Sequence, residues 1–264
     1  MTRDDLIAAF SKAAAEHDAV DALLLSGSLG RGEGDAWSDV DLIAVTPEAA
    51  HAAFVAGVKA WATRVAEPVL WRQVYPGLPL FHAVTTGYLR YDIMVTTLGR
   101  VTESADRVRP LVDKVGAHAG LPPTREAPPL SARAVHEASE EFLRVLGLLP
   151  VAVGRNDYAA AAFGAGLLRQ QLQALMVLER RPVTPPGALA VARMLPPDDV
   201  RTLEMLSASP ATREGAIAGS LALAEAFLPR ARRLTAESGA DWPAALEAAV
   251  RAHLRRELDV DLPA

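Results

Sequence analysis

Two aspartates separated by one residue, Asp39 and Asp41, are the side chains of this sequence best placed to do chemistry. They directly precede residues 42–45, an apolar run typical of a buried strand. Alternate side chains of a strand share a face, so the two carboxylates point one way and Val40 points the other. Paired carboxylates supply the oxygen ligands that Mg²⁺ prefers, and their repulsion is costly unless a cation neutralises it. The spacing therefore predicts a divalent-metal site.

A glycine-rich loop precedes the aspartates and has the composition of a phosphate-binding segment. It follows a short apolar run, residues 22–26, and contains Gly27, Gly30, Gly32 and Gly34. Glycine permits positive φ and close approach of the backbone to a ligand. Ser28 supplies a hydroxyl and, with its neighbours, N–H donors at a predicted helix start, which suits phosphate oxygens. Metal ligands beside phosphate donors predict a nucleoside triphosphate site.

Two further residues of this segment have roles that remain open. Arg31 adds positive charge for phosphates in one interpretation and is a solvated loop residue in the other. Ser38, directly before Asp39, is expected to orient a carboxylate rather than to react. Taken alone, Gly-Ser is usually an ordinary turn and Asp-x-Asp a solvated strand start. Their combination across two strands favours the functional interpretation.

Asp92 is the candidate for a third carboxylate. It interrupts residues 88–96, which are rich in β-branched and aromatic side chains and predict a strand. A buried carboxylate without a partner is costly, so Asp92 is expected to face a metal or a cation. One interpretation makes it the third metal ligand, and the alternative is an ion pair with Arg90 on the same face of the strand.

Residues 23–45, LLLSGSLGRGEGDAWSDVDLIAV, resemble the signature of the DNA polymerase beta nucleotidyltransferase superfamily. In that signature one strand ends in Gly-Ser and the next begins with Asp-x-Asp. The spacing is similar to that of the minimal and antibiotic-modifying branches, which include aminoglycoside and lincosamide nucleotidyltransferases. The resemblance implies catalysis by Asp39, Asp41 and Asp92, which would bind two Mg²⁺ ions, and a cofactor-binding role in holding ATP for Gly27, Ser28, Arg31 and Ser38.

The resemblance also implies the reaction, which is transfer of a nucleoside monophosphate, AMP, to a hydroxyl of a small molecule with release of pyrophosphate. The acceptor would be an antibiotic of the aminoglycoside or lincosamide type. Either Asp92 or an acid of the helical half would serve as the base. Glu137, Glu140 and Glu141 are the candidates there, although such a run is usually a solvated helix face.

Two other functions remain open at this stage. One is a nucleotidyltransferase of the toxin–antitoxin type that modifies a protein or RNA, against which the long C-terminal half argues. The other is a non-catalytic nucleotide-binding regulator on the same scaffold, against which the three aspartates argue.

The elements that must position these residues divide the chain in two. Helices are predicted over residues 2–17 and 48–63, and strands over residues 22–26, 40–45, 68–74, 80–85 and 88–96. Residues 121–129 hold four prolines, which can neither continue a helix nor lie inside a sheet. Six helices are predicted beyond them, over residues 131–149, 157–179, 186–194, 198–208, 212–237 and 242–257, with Ser131 and Asp198 as N-caps.

The predicted fold class is α+β, an N-terminal mixed-sheet nucleotidyltransferase domain followed by a C-terminal all-α helical bundle. The predicted boundaries are residues 1–120 for the catalytic domain, 121–130 for the linker and 131–264 for the substrate-recognition domain. The active site is expected in the cleft between the two domains.

Composition excludes several other functions. The 264 residues include no cysteine, which removes disulfides and thiolate chemistry and suits a reducing cytoplasm. A formal net charge of −5 argues against a nucleic acid polymer as partner, because phosphate backbones require clustered Lys and Arg. The six histidines lack zinc-site spacing. Without a signal peptide or a membrane-spanning run, a cytoplasmic protein without a membrane partner is expected, as a monomer or a homodimer.

Overall fold

The computed structural model describes residues 1–185, 187–206 and 209–263. The chain is an α+β protein that divides into two compact units, Met1–Arg125 and Glu126 onward. The first unit contains a mixed six-stranded sheet, and the second is helical in the residues described. Residues 121–130, the predicted linker, form neither helix nor strand. Pro186, with which one predicted helix begins, and Ala208, with which another ends, lie outside the described residues.

The sheet of the first unit has the strand order β3-β4-β5-β2-β1-β6, with β2 and β5 parallel and the other neighbours antiparallel. The strands are β1 (Ala22–Leu25), β2 (Val40–Thr46), β3 (Pro68–Tyr75), β4 (Leu78–Thr85), β5 (Arg90–Thr97) and β6 (Arg109–Asp113). The helices of this unit are α1 (Arg3–Ala15), the single-turn α2 (Gly27–Gly30) and α3 (Glu48–Val65). Single 3₁₀ turns occur at Leu98–Arg100 and Ala105–Arg107.

Aromatic packing fixes α1 and α3 to one face of this sheet. The ring of Phe10 in α1 lies 5.4 Å from that of Trp61 in α3 and 5.2 Å from that of Tyr91 in β5. Tyr91 is fully buried, and its hydroxyl donates a hydrogen bond to the carbonyl oxygen of Ala66. Because side chains alternate along β5, Asp92 must point to the opposite face, where a smaller apolar cluster around Leu24, Ile43 and Val45 covers part of the sheet.

The second unit is built from α4 (Ala132–Leu146), α5 (Leu149–Gly154), α6 (Tyr158–Arg180), α7 (Val191–Met194), α8 (Pro197–Met205), α9 (Arg213–Ser238) and α10 (Ala244–Leu258). Its core includes Phe142 and Phe227, whose rings stack with centroids 3.8 Å apart. Ser131 and Asp157 cap α4 and α6 by accepting hydrogen bonds from backbone N–H groups. None of the helices in the described part of the chain combines the length and apolar character needed to cross a membrane.

The structure differs from the sequence-based expectations at four places. Of the helix predicted over residues 186–194, the described residues form a 3₁₀ turn at Ala188–Ala190 and the four-residue α7. The sequence does not predict strand β6, because Pro110 argues against a strand at that position. The register of β1 and β6 shifts between Leu23 and Leu24, beside that proline. The single helix predicted over residues 131–149 ends at Leu146, and α5 then begins at Leu149. Asp198 is not an N-cap, since α8 begins one residue earlier, at Pro197.

Candidate active site

Three chemically active side chains occupy one row across neighbouring strands. In the parallel pair of β2 and β5, Asp41 lies directly opposite Asp92. In the antiparallel pair of β4 and β5, His82 lies directly opposite Asp92. Residues paired in register on adjacent strands project from the same face of a sheet. The fold thus brings together Asp41, Asp92 and a histidine on the face opposite α1 and α3.

Asp39 precedes β2 and belongs to the same cluster of charge. Its carboxylate raises the pKa of both Asp41 and Asp92, so all three acids lie within electrostatic reach of one another. The Asp39 side chain is 38% exposed and lies 3.9 Å from the guanidinium of Arg90. The three aspartates that the sequence singled out, from segments fifty residues apart, therefore interact through their charges.

The backbone of the glycine loop lies against the Asp41 carboxylate. Gly27 has a φ of 61°, and a Cβ added to it would lie 1.8 Å from Oδ2 of Asp41, which no residue but glycine can avoid. The preceding residue, Ser26, donates its backbone N–H to the carbonyl oxygen of Asp41 at 2.8 Å. The glycine loop and β2 are therefore in direct contact at Asp41.

Three side chains hold the glycine loop in shape. Ser28, in the single turn of α2, donates its hydroxyl to Oγ of Ser38 at 3.0 Å. Ser38 in turn donates to Oδ1 of Asp35 at 3.0 Å and accepts from the Asp35 backbone N–H. The carboxylate that Ser38 contacts is thus that of Asp35, a residue of the glycine loop itself.

Burial and like charge together raise the pKa of Asp41 to about 7. Burial is the largest cause, followed by the charges of Asp39 and Asp92; Arg31 and His82 offset only part of the effect. Burial also raises the pKa of Asp92, although the hydrogen bond with His82 opposes that shift. Arg31 therefore lies near enough to Asp41 to act on it, while its guanidinium also pairs with Glu33 at 2.8 Å.

Asp92 pairs with His82 and not with Arg90. Nδ1 of His82 lies 2.6 Å from Oδ1 of Asp92. Arg90 lies near Asp39 instead and donates to the backbone oxygen of Trp37 at 2.9 Å. The charge of Arg90 still lowers the pKa of Asp92, but the guanidinium extends toward the loop before β2 and makes its closest contacts there.

His82 is the functional candidate that the sequence analysis missed. The histidines were considered there only for zinc spacing. A usable signal was nevertheless present, because His82 and Asp92 lie five residues on either side of Gly87, in the turn between two predicted strands. Equal distances from a hairpin turn place two residues opposite each other.

The carboxylates fit a hard divalent cation in ligand type and in charge. Aspartate oxygens are preferred ligands of Mg²⁺, and the negative charge around Asp41 exceeds what Arg31 and His82 offset. As the side chains stand, no three His, Asp or Glu residues within residues 1–185, 187–206 and 209–263 are arranged around a common metal position.

Of the three acids named as candidates in the helical unit, Glu140 is exposed and the other two pair with arginines of their own helix. Glu137 pairs with Arg133 at 2.7 Å and Glu141 pairs with Arg144 at 2.6 Å, both on the exposed face of α4. These contacts are those of a solvated helix face.

No protein-family model matches this chain, and no curated protein sequence matches it. Among solved structures, the chain is similar to a crystal structure of an aminoglycoside 6-adenyltransferase from Bacillus subtilis, with a TM-score of 0.44 and 13% sequence identity. That similarity covers 95% of each chain.

Proposed function

We propose that this protein is a Mg²⁺-dependent nucleotidyltransferase that moves AMP from ATP to a hydroxyl of a small molecule. The observation that carries the proposal is the register of β2 and β5, which sets Asp41 beside Asp92 with Asp39 close by. Such a concentration of negative charge repels a bare triphosphate but attracts a metal–nucleotide complex. The positive φ of Gly27 and its approach to Asp41 add a backbone suited to close contact with phosphates.

In the proposed reaction, Asp92 accepts the proton of the acceptor hydroxyl. The hydroxyl oxygen forms a bond to the α-phosphorus of ATP, and the bond from that phosphorus to the bridging oxygen of the β-phosphate breaks. The electron pair leaves with pyrophosphate, so the products are the adenylylated acceptor, pyrophosphate and one proton. In reactions of this type, positioning and neutralisation of charge supply most of the rate.

Metal binding and phosphate binding are assigned to the aspartates and to the glycine loop. Asp39, Asp41 and Asp92 would hold two Mg²⁺ ions, which supply charge neutralisation for the triphosphate and for the departing pyrophosphate. Gly27 and Ser28 would contact the β- and γ-phosphates, and Arg31 would add positive charge beside them. Ser38 would act indirectly, since its hydrogen bonds with Ser28 and Asp35 keep the loop in shape.

The acceptor class to test first is an aminoglycoside or lincosamide antibiotic, which would make the protein a resistance enzyme. The support for this class is the resemblance of residues 23–45 to the antibiotic-modifying branches. The chain also has a helical unit of over a hundred residues in addition to the sheet unit, ample material for recognising a small molecule.

A labelling experiment tests the proposal. The protein is incubated with ATP labelled at the α-phosphate, MgCl₂ and a panel of aminoglycosides and lincosamides, and the products are separated by thin-layer chromatography. We expect label on one class of small molecule and stoichiometric release of pyrophosphate. Asp39→Asn should abolish labelling, whereas Asp4→Asn, at an 86% exposed side chain of α1, should leave it unchanged.

The same reactions distinguish the alternatives. Label on added RNA or on protein would contradict a small-molecule acceptor and support modification of a macromolecule. Nucleotide binding without any transfer, together with unchanged binding in Asp39→Asn, would contradict catalysis and support a nucleotide-binding regulator.

A further inference from the structure

His82 is the residue of β4 whose side chain contacts the Asp92 carboxylate. It lies in register with Asp92 across the β4–β5 hairpin, and its Nδ1 is 2.6 Å from Oδ1 of that carboxylate. On its other side β3 places Arg72 in register with His82, and Arg72 is exposed. His82 therefore lies in the same row as the two carboxylates, at its outer end.

We propose that His82 is a positioning residue that fixes the orientation of the Asp92 carboxylate for nucleotidyl transfer. The proposal rests on the function proposed above, and it concerns the atom Nδ1 in particular. An N–H at Nδ1 that donates to Oδ1 of Asp92 takes one carboxylate oxygen and leaves the other for the reaction.

The need for such a restraint follows from the charges in the row. Asp39 repels Asp92, and Asp41 and Asp92 repel each other. An aspartate can respond by rotating its carboxylate about the bond from Cβ to Cγ. Arg90 attracts Asp92 by its charge, but its guanidinium lies near Asp39 and donates to the Trp37 carbonyl instead. The imidazole thus supplies the restraint from the side opposite Asp41.

The exposure of the two side chains favours this role over simple packing. The His82 side chain is 45% exposed, so it contributes little to the core, whereas that of Asp92 is 21% exposed. A half-exposed side chain is worth little to stability as an apolar contact. Its value would lie in orienting its neighbour, as partners of metal-binding and catalytic carboxylates commonly do.

Three substitutions at position 82 separate orientation from bulk. His82→Asn keeps an N–H donor on Cγ, in the place of Nδ1, whereas His82→Gln moves the donor one bond farther out, toward the place of Nε2. His82→Ala has no donor. We expect kcat to fall about 10- to 100-fold in His82→Ala and His82→Gln and to recover within about threefold in His82→Asn, with KM for ATP nearly unchanged throughout. Arg72→Ala, on the adjacent strand, is the control and should retain wild-type kcat.

Equal kcat in His82→Ala and the wild type would overturn the proposal. So would an equal loss in His82→Asn and His82→Ala, because the donor on Cγ would then be irrelevant. Thermal melting of all three variants should lie within a few degrees of the wild type; a large loss of stability in His82→Ala that accompanies its loss of kcat and is not repaired by His82→Asn would assign a structural role instead.

A second measurement decides the contact without any turnover. In protein labelled with ¹⁵N-histidine, the wild type should show a slowly exchanging ring N–H signal, shifted downfield, that disappears in both His82→Ala and Asp92→Ala. Absence of this signal in the wild type overturns the proposal. If the wild type shows the signal but transfers no nucleotide to any acceptor, the proposed function fails while the His82–Asp92 contact stands.

Discussion

A carboxylate in each unit is withdrawn from solvent, Glu247 being buried and Asp41 half-buried, and the two have opposite surroundings. In the helical unit Glu247 is 6% exposed and accepts hydrogen bonds from Nε1 of Trp242, from Arg232 and from Arg251. In the sheet unit Asp41 is surrounded by two further carboxylates, with Arg31 and His82 as partial compensation. The negative charge of Glu247 is thus compensated by other side chains of the protein, whereas negative charge remains in excess around Asp41.

The pKa values express the same contrast. Burial opposes ionisation at both acids. At Glu247 the hydrogen bonds from Trp242 and Arg251 and the positive charges of Arg232 and Arg251 overcome burial and lower the pKa. At Asp41 the neighbouring carboxylates add to burial and raise the pKa to about 7. A fold that compensates an acid fully in one unit and incompletely in the other points to a ligand for the second.

The largest expected effect comes from removing the uncompensated charge. Asp41→Asn should lower the rate of nucleotidyl transfer about 1,000-fold or more, because an amide cannot supply a negative metal ligand. The rate is measured as pyrophosphate release under saturating ATP and acceptor. Glu247→Gln is the matched change in the other unit, and at a temperature where it stays folded it should keep the wild-type rate. Equal losses in the two variants would contradict the distinction between the units.

The next effect concerns the backbone that contacts Asp41. Gly27→Ala and Gly32→Ala both place a Cβ on a residue with positive φ, 61° and 73° respectively. Only the first brings that Cβ onto Oδ2 of Asp41, since nothing lies within 4 Å of the second. We expect Gly27→Ala to reduce transfer about 100-fold by displacing the carboxylate, a smaller loss than its removal. Gly32→Ala should cost only backbone strain, about 1–2 kcal/mol of unfolding free energy.

A crystal structure of Gly27→Ala would test the cause directly. We expect Asp41 to move away from its position beside the loop, and unchanged coordinates at Asp41 would contradict the steric explanation. Comparable activity losses in the two glycine variants would assign the effect to backbone strain instead.

The compensated acid should matter for stability. Glu247→Gln leaves Arg232 and Arg251 without their shared carboxylate and weakens the bond to Trp242, so it should lower the free energy of unfolding by about 2–3 kcal/mol. Denaturant unfolding followed by far-ultraviolet circular dichroism measures this change. Glu137→Gln, at an exposed ion pair on α4, is the control and should leave the melting curve where it is. Equal curves for all three proteins would remove the contrast between the units.

Local patterns in the sequence account for much of the first unit. Strand alternation predicts that Asp39 and Asp41 point to one side, and the apolar runs predict β1 and β2 to within one residue of their observed ends. The hairpin around Gly87 also follows local rules. The α+β fold class is confirmed. It could be predicted because the change from alternating elements to helices is visible in composition and periodicity.

Long-range pairing could not be predicted. Nothing local indicates that β5 inserts beside β2 in parallel, yet this pairing alone sets Asp41 opposite Asp92. The contact of Arg90 with Trp37, fifty-three residues earlier in the chain, likewise depends on how the loop folds back. These arrangements are decided by tertiary packing, which overrides intrinsic preference in sheets.

The last prediction concerns the pH dependence of folding stability, to which Asp41 and Glu247 should contribute slopes of opposite sign. The pKa of Asp41 rises from 3.8 to about 7 on folding, so the unfolded chain ionises first and stability falls as pH increases between those values. The pKa of Glu247 is lowered from 4.5, so its contribution is full above that value and is lost as pH falls through the folded pKa. Each slope is at most about 1.4 kcal/mol per pH unit.

Melting of metal-free protein between pH 3 and pH 9 separates the two acids. Asp41→Asn should flatten the decline between about pH 4 and pH 7, and Glu247→Gln should flatten only the acid limb below about pH 4.5. Millimolar MgCl₂ at pH 8 should raise the melting temperature of the wild type and not of Asp41→Asn, since a ligand stabilises only the state that binds it. An equal rise in both proteins would show that the cation binds elsewhere. It would contradict the proposal that the negative charge around Asp41 binds Mg²⁺.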